Sequence, residues 1–364
     1  MNFANPAPTW SFVLKILLTA DPLLPVPPKF YGGIERIVAS LISALRLRGH
    51  TVGLVAIAGS GAPVDYFRPW PRQSAAGTFA HLRNAFALRA ACNDFQPSVL
   101  HSFSRLLYLA PLLLHGPVKV MSYQRGAGGR QISLCAAAGG RSLAFTGCSE
   151  FIARMGGRYG GRWQAIHNFV DTTSYRFSPS VPADAPLVFL SRIESIKGTH
   201  LAIEIAKRAG RRLLIAGNHA DSGAEGEYWA TRIKPELGRN GIDYVGPLDD
   251  PAKIEFLGSA AAMVVPIQWD EPFGIVFAEA LACGTPVITC PRGAATEIIR
   301  DGIEGFLIRD AEQGCRAVAR ISTIDRHQCR ARAEQAFSVS SIVPQYEALY
   351  KALLDGSAPR AKRT

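Results

Sequence analysis

The chain has 364 residues, 48% of them apolar, with 40 Lys and Arg against 29 Asp and Glu for a formal net charge of +11. That length exceeds what one hydrophobic core usually sustains and predicts two domains, while the apolar share excludes a disordered or fibrous chain. The charge sits in the first half, where residues 1–180 hold 18 basic against 6 acidic residues and residues 181–364 hold 22 against 23. Such a half points to an anionic partner, a phospholipid surface or an acidic or lipid-phosphate acceptor. Nucleic acid is not expected, because no recognition motif or aromatic-basic repeat accompanies the charge.

Phe12 to Thr19 reads as a first strand rather than a leader, since the apolar run contains Lys15 and lacks both a basic leading region and a small-residue cleavage site. A Pro-rich loop, Asp21 to Pro28, runs into Lys29-Phe30-Tyr31-Gly32-Gly33. Ile34, Ile37, Val38, Leu41, Ile42 and Leu45 then fall on one helical face, Gly49 closes the helix, and a strand follows from His50 to Ala58. This is a βαβ unit with a glycine pair, Gly32 and Gly33, where the backbone must pass close to something.

Thr78 to Phe95 predicts a helix that carries His81, Arg83 and Arg89 beside Phe79, Leu82, Phe86 and Leu88. Its apolar side chains are expected to face the core, although the same composition suits a helix lying on a membrane. Val99 to Phe103 is a strand ending in His101-Ser102-Phe103-Ser104. The apolar run Leu106 to Val118 is broken by Pro111, Gly116 and Pro117 and falls short of a membrane span. Val118 to Tyr123 is a strand, followed by Gln124, Arg125 and a glycine-rich loop expected to order when an acceptor arrives. After Ala165 to Asp171 comes a polar, Pro-containing stretch, Thr172 to Pro186, of the kind that joins domains. The expected organisation is a first domain over 1–171, a second over 172–340, a helix over 341–354 and a disordered basic tail over 355–364. Seven scattered cysteines without a C-x-x-C pair read as reduced thiols in a cytoplasmic protein with no zinc or other metal site.

The second half opens with a strand, Leu187 to Leu190, and a loop that places Arg192 and Lys197 just past the strand's carboxyl end. A helix from Thr199 to Ala209, a strand from Arg212 to Ala216 and a strand ending at Tyr244-Val245-Gly246-Pro247-Leu248 follow. Met263 to Ile267 is a buried strand that leads through Gln268-Trp269-Asp270-Glu271 to a helix expected to start at Pro272 and to stop at Gly284 and Pro286. In a doubly wound sheet such a loop lies at the carboxyl edge, and the free amides of Phe273, Gly274 and Ile275 suit phosphate. Glu271 and Glu279 would repel a diphosphate, so they should accept hydrogen bonds from sugar or ribose hydroxyls. A nucleotide-sugar meets both demands.

Glu271-Pro272-Phe273-Gly274, Glu279-Ala280, Ala282 to Ile288 and Gly293 to Glu297 resemble the glutamate-x7-glutamate block of the retaining family 4 glycosyltransferases. The resemblance extends to Gly32-Gly33-x-Glu35, to Arg192 and Lys197 and to Asn168-Phe169-Val170-Asp171. It implies a GT-B fold, two doubly wound Rossmann-like α/β domains with an interdomain cleft and the 341–354 helix returning to the first domain. It implies that Glu271 contacts the transferred sugar, Glu279 binds ribose, and the amides of Phe273, Gly274 and Ile275 with Gly32 and Gly33 hold the diphosphate. Arg192 and Lys197 would grip that diphosphate, and Val245 and Leu248 would lie beside the base.

On the acceptor side the resemblance points to His101, which is equally a histidine satisfied by neighbouring backbone, and to Gln124 and Arg125, where many relatives carry a histidine. Gln124 can bond a hydroxyl but cannot carry a proton or charge. The implied activity is metal-independent hexosyl transfer with retention, from a nucleotide-diphosphate-sugar co-substrate to a glycan, lipid-linked or small-molecule acceptor, without a cofactor. Two other readings are a non-catalytic nucleotide-sugar-binding module and a GT-B nucleotide-sugar epimerase. The implied setting is envelope polysaccharide or glycolipid synthesis in the cytoplasm, with peripheral contact at an anionic inner membrane face as an option.

Overall fold

A computed structural model describes residues 13–28, 32–72 and 77–356. Phe12, Lys29 to Tyr31 and the expected tail from Ser357 onward lie outside the described residues. The chain forms two compact units, one of residues up to His167 with those from Ile342 onward, the other of Asn168–Ser341. Sequence reasoning had set the first boundary after Asp171.

The first unit is built on seven parallel strands, β1 (Lys15–Thr19), β2 (Thr51–Ala56), β3 (Tyr66–Pro69), β4 (Val99–Ser102), β5 (Val118–Tyr123), β6 (Leu143–Gly147) and β7 (Trp163–Ala165), in the order β3-β2-β1-β4-β5-β6-β7. Both faces of β4 and β6 are buried, as expected of strands covered by crossover helices on either side. Sequence reading missed β3, a four-residue strand ending in proline; it lies at the sheet's edge, where a proline removes no inner ladder bond. Helix α1 (Gly33–Leu47) follows β1 and buries Ile37, Val38, Leu41, Ile42 and Leu45. Its N-cap, Gly32, has φ 153°, and a Cβ there would lie 2.7 Å from Pro28 Cβ.

Helix α2 (Thr78–Phe95) corrects one expectation. Ala85, Leu88, Ala91, Cys92 and Phe95 are buried, but Phe79, Leu82 and Phe86 are 71%, 45% and 59% exposed. The helix is apolar on two faces, and only one of them meets the core.

His101 corrects another. It is completely buried in β4, with Nδ1 2.6 Å from Tyr350 Oη and Nε2 2.6 Å from Ser122 Oγ, and so presents nothing to an acceptor. Its partners are side chains rather than backbone, and Tyr350 belongs to the final helix, Val339–Leu354. From Ile342 on, that helix completes the first unit's core with Tyr346 and Tyr350. It also brings Glu347 to Arg48, through two bonds of 2.7 Å, and to His50 Nε2 at 3.0 Å.

The second unit has six parallel strands, β8 (Leu187–Leu190), β9 (Leu213–Ala216), β10 (Ile242–Gly246), β11 (Ala262–Val265), β12 (Val287–Thr289) and β13 (Gly305–Leu307), in the order β10-β9-β8-β11-β12-β13. The helix Arg326–Phe337, absent from the sequence reading, turns two arginines onto the stretch expected to be a linker. Arg330 donates to the carbonyls of Thr172, Tyr175 and Ala282, and Arg326 to those of Ser178, Gly258 and Ala260. Residues 172–178 are thereby fastened to the second unit.

A neutral His101 ring, donating through one nitrogen and accepting through the other, satisfies both neighbours, whereas an imidazolium has no acceptor to spare. Burial pushes its pKa down to about 3. The unfolded chain therefore binds this proton below about pH 6.5 while the folded chain does not, so stability falls as pH falls through that value. We expect roughly 2 kcal/mol of stability to be lost between pH 7 and pH 5 from this residue. Urea unfolding at both pH values should show that increment in the parent and its absence in His101→Asn.

Candidate active site

In each sheet the chain order reverses at one point, between β1 and β4 in the first unit and between β8 and β11 in the second. Doubly wound sheets bind ligands outside the strand ends at such points, because the connecting helices run away to opposite faces there.

In the second unit the loops leaving β8 and β11 meet. Gly198, at φ 77°, stands where a Cβ would lie 2.1 Å from Pro266 O, so any other side chain would force the loops apart. Gln268 N donates to Ile196 O at 2.7 Å. This contact brings Lys197 and Glu271, 74 positions apart, into a hydrogen-bonded ion pair with Nζ 2.6 Å from Oε2. Trp269 Nε1 donates to the same oxygen at 2.8 Å, and Lys197 Nζ stands 4.7 Å above the Trp269 ring. Both Lys197 and Glu271 are 9% exposed. Gly293 holds the backbone of Glu271 from behind: a Cβ there would lie 2.4 Å from Glu271 O, and Ala294 N donates to that oxygen at 2.8 Å. Arg192, on the same loop as Lys197, is more exposed and pairs with Glu194.

The following helix runs Ile275–Ala282 and not from Pro272, because Gly274, at φ 87°, is its N-cap. The helix amide end is therefore at Ile275, and the Phe273 ring is a core group, edge-on to Phe337 at 5.6 Å. One turn further in, Glu279 Oε1 accepts from Tyr175 Oη at 2.7 Å and from Lys253 Nζ at 2.5 Å. Burial first, and then the Glu279 charge, hold the Tyr175 phenol far above its ordinary range, so it stays a donor. Toward the far edge, His219 stacks on Trp229 at 4.1 Å, and Tyr244 Oη donates to Gly217 O beside them. Val245 is exposed there and Leu248 half-buried.

Several of these groups escaped sequence reasoning. Lys253, Tyr175 and Trp269 had no motif to announce them, nor did Glu225, whose carboxylate accepts from Ser195 N and Oγ at 2.7 and 2.8 Å and fixes the loop ahead of Lys197.

The edge of the first unit is organised differently. Asp21 follows β1, Ser104 and Arg105 follow β4, and Gln124 follows β5. Among the described residues, Asp21 Oδ1, Ser104 Oγ, Arg105 Nε and both amide atoms of Gln124 are buried without a hydrogen-bond partner. Arg105 Nε is 3.4 Å from Asp21 Oδ2, and its Nη1 is 3.4 Å from His81 Nε2. Each such orphan costs about 1–3 kcal/mol, so their convergence on one sheet edge marks a place suited to polar groups from outside the chain. Arg125 is exposed beside Gln124. Glu35, in the first turn of α1, is buried, and burial raises its carboxyl pKa.

Residues 31–174 match the family model described as Glycosyltransferase Family 4, and residues 172–336 match that described as Glycosyl transferases group 1. A glycosyltransferase from Rickettsia africae superposes with a TM-score of 0.79 at 17% identity, over 94% of this chain and 99% of that one. The chain has the GT-B fold. Another GT-B structure, HepE of Anabaena in complex with UDP-glucose, superposes with a TM-score of 0.71 at 18% identity, over 93% of this chain and 100% of that one. The D-inositol 3-phosphate glycosyltransferases of Mycobacterium tuberculosis and Mycobacterium bovis are 32% identical over 146 residues, which is 40% of this chain. The chain thus spans 30% of the length of these curated relatives. The matched families and these relatives are glycosyltransferases, and none of them is an epimerase.

Removing one member of a buried pair strands the other charge, so the Lys197–Glu271 bond should appear as non-additivity. Lys197→Met and Glu271→Gln are each expected to destabilise the protein, and the double variant by about 0.5–3 kcal/mol less than their sum. Urea unfolding of the four proteins measures this.

Proposed function

We propose that this chain is a glycosyltransferase that moves a sugar from a nucleotide-diphosphate-sugar to an acceptor hydroxyl with retention of anomeric configuration. The observation that carries the reading is the Lys197–Glu271 pair, held with Trp269 at the reversal point of the second sheet beside the Ile275 helix start. In this scheme the donor diphosphate lies against that helix start, with Arg192 and Lys197 as its cations. Glu279, already fixed by Tyr175 and Lys253, receives the ribose hydroxyls. Glu271 accepts from a hydroxyl of the transferred sugar.

Transfer breaks the bond between the anomeric carbon and the phosphate oxygen and forms one from that carbon to the acceptor oxygen. The acceptor proton passes to the departing phosphate oxygen on the same face. Charge grows on the diphosphate as the bond breaks, and the buried Lys197, with the more exposed Arg192 beside it, stabilises that charge more than the ground state. The nucleotide-sugar is a co-substrate and no cofactor or metal enters. HepE was solved with UDP-glucose, which makes the uridine series the first donors to test.

Glu271→Gln keeps the size and the bond from Trp269 but removes the carboxylate. We expect turnover to fall at least about 100-fold while nucleotide binding, read by thermal shift, persists. Turnover within a few-fold of the parent would sink the assigned role, and nucleotide binding without turnover in the parent would favour the binding-module reading.

The unpartnered groups of the first unit are the acceptor side of the same proposal. Asp21 and Gln124 offer an anionic acceptor and a neutral donor–acceptor pair, which suits a polyhydroxyl acceptor. Asp21→Asn and Gln124→Ala should raise the acceptor KM about tenfold, as loss of a hydrogen bond in a dry site does, and leave the donor KM unchanged. An unchanged acceptor KM in both variants would remove these residues from the scheme.

A further inference from the structure

Helix α2 buries one apolar face and shows a second. Phe79, Leu82 and Phe86 follow one another at i, i+3 and i+7, which places them in a single stripe two turns long on the outside of the first unit. At 100° per residue, Arg83 falls on one flank of this stripe and Arg89 on the other, and both are exposed. Arg83 stands over the Phe79 ring at 5.9 Å. No acidic residue occurs from Thr78 to Asn93. The segment Leu106–Leu112, packed along α2, adds an exposed Leu107.

We propose that this face of α2 docks the protein on an anionic lipid bilayer. Phe79, Leu82 and Phe86 enter the boundary between headgroups and acyl chains, and Arg83 and Arg89 reach outward along the helix sides to lipid phosphates. A central apolar stripe between two long cationic side chains is the pattern a planar interface selects, since the stems lie along apolar surface while the guanidinium groups stay in the headgroup layer. The half of the chain that bears the stripe holds 18 basic against 6 acidic residues, so its field favours an anionic surface. No described helix is long and apolar enough to cross a membrane, which fits a helix that lies on one. A second copy of this chain would have to bring two arginine-flanked stripes together, like charge against like charge.

The test is sedimentation of the full-length protein with phosphatidylcholine vesicles and with mixed phosphatidylglycerol–phosphatidylcholine vesicles. Binding is expected to the mixed vesicles alone and to weaken with salt. Phe79→Ser with Phe86→Ser, and separately Arg83→Glu with Arg89→Glu, should each lower the bound fraction about tenfold or more, with melting temperatures near the parent's because the side chains are exposed. Absence of binding, equal binding to both vesicle types, or undiminished binding by the phenylalanine variant would overturn the proposal. So would a dimer, seen by light scattering, that the phenylalanine variant dissociates, for the stripe would then be a self-association surface.

Discussion

Everything in the second unit's edge depends on two loops being able to touch. The strands β8 and β11 are neighbours in the sheet, yet their connections leave for opposite faces, so no helix fills the space above their ends. Gly198 lets the two loops come into that space together, and Gly293 lets the backbone behind Glu271 close up. The Lys197–Glu271 pair is the result. A buried ion pair adds little net stability, because desolvating both charges cancels most of their attraction. Its merit here is readiness: cation, carboxylate and indole donor hold their positions before any ligand arrives.

The two units treat their polar groups in opposite ways. In the second, Glu271 has Lys197 and Trp269, Glu279 has Tyr175 and Lys253, and Glu225 has Ser195, so the main carboxylates are oriented by the chain itself. In the first, Asp21, Ser104 and Gln124 keep buried atoms without hydrogen-bond partners, and Arg105 Nε has no hydrogen bond but stands 3.4 Å from Asp21 Oδ2. The same sheet architecture thus carries one edge whose carboxylates are fixed, with Thr199 Oγ1 left unpartnered there, and one edge where several buried polar atoms converge without hydrogen-bond partners. The first arrangement suits a fixed electrostatic environment, and the second suits a ligand that supplies the missing bonds.

Much of this was legible in the sequence, for reasons that also explain the gaps. Leu187–Leu190 was read with the bounds it has, because a buried parallel strand is a continuous apolar run. Glu271 and Lys197 could be singled out because their loops follow such runs directly. Lys253 and Tyr175 could not, since they reach Glu279 from 26 and 104 positions away and nothing local marks them. The helix start was misplaced because Pro272 suits a first turn, whereas Gly274 in a left-handed conformation sets the true one. For α2, periodicity shows that a face is apolar but not which of two apolar faces meets the sheet. His101 was read inside its strand, but its burial could not be read there, because its partner Tyr350 lies 249 positions on.

The last helix gives the molecule an order in time. A ribosome delivers every strand of the first unit by Ala165, but the side chains that complete its core, Tyr346 and Tyr350, emerge only after the whole second unit has been made. At bacterial to eukaryotic elongation rates that interval is roughly 10–40 s. Throughout it Arg48, His50 and His101 lack the partners that Glu347 and Tyr350 provide. All of the second unit is therefore synthesised before the residues that complete the first unit's core, although the amino-terminal strands are older.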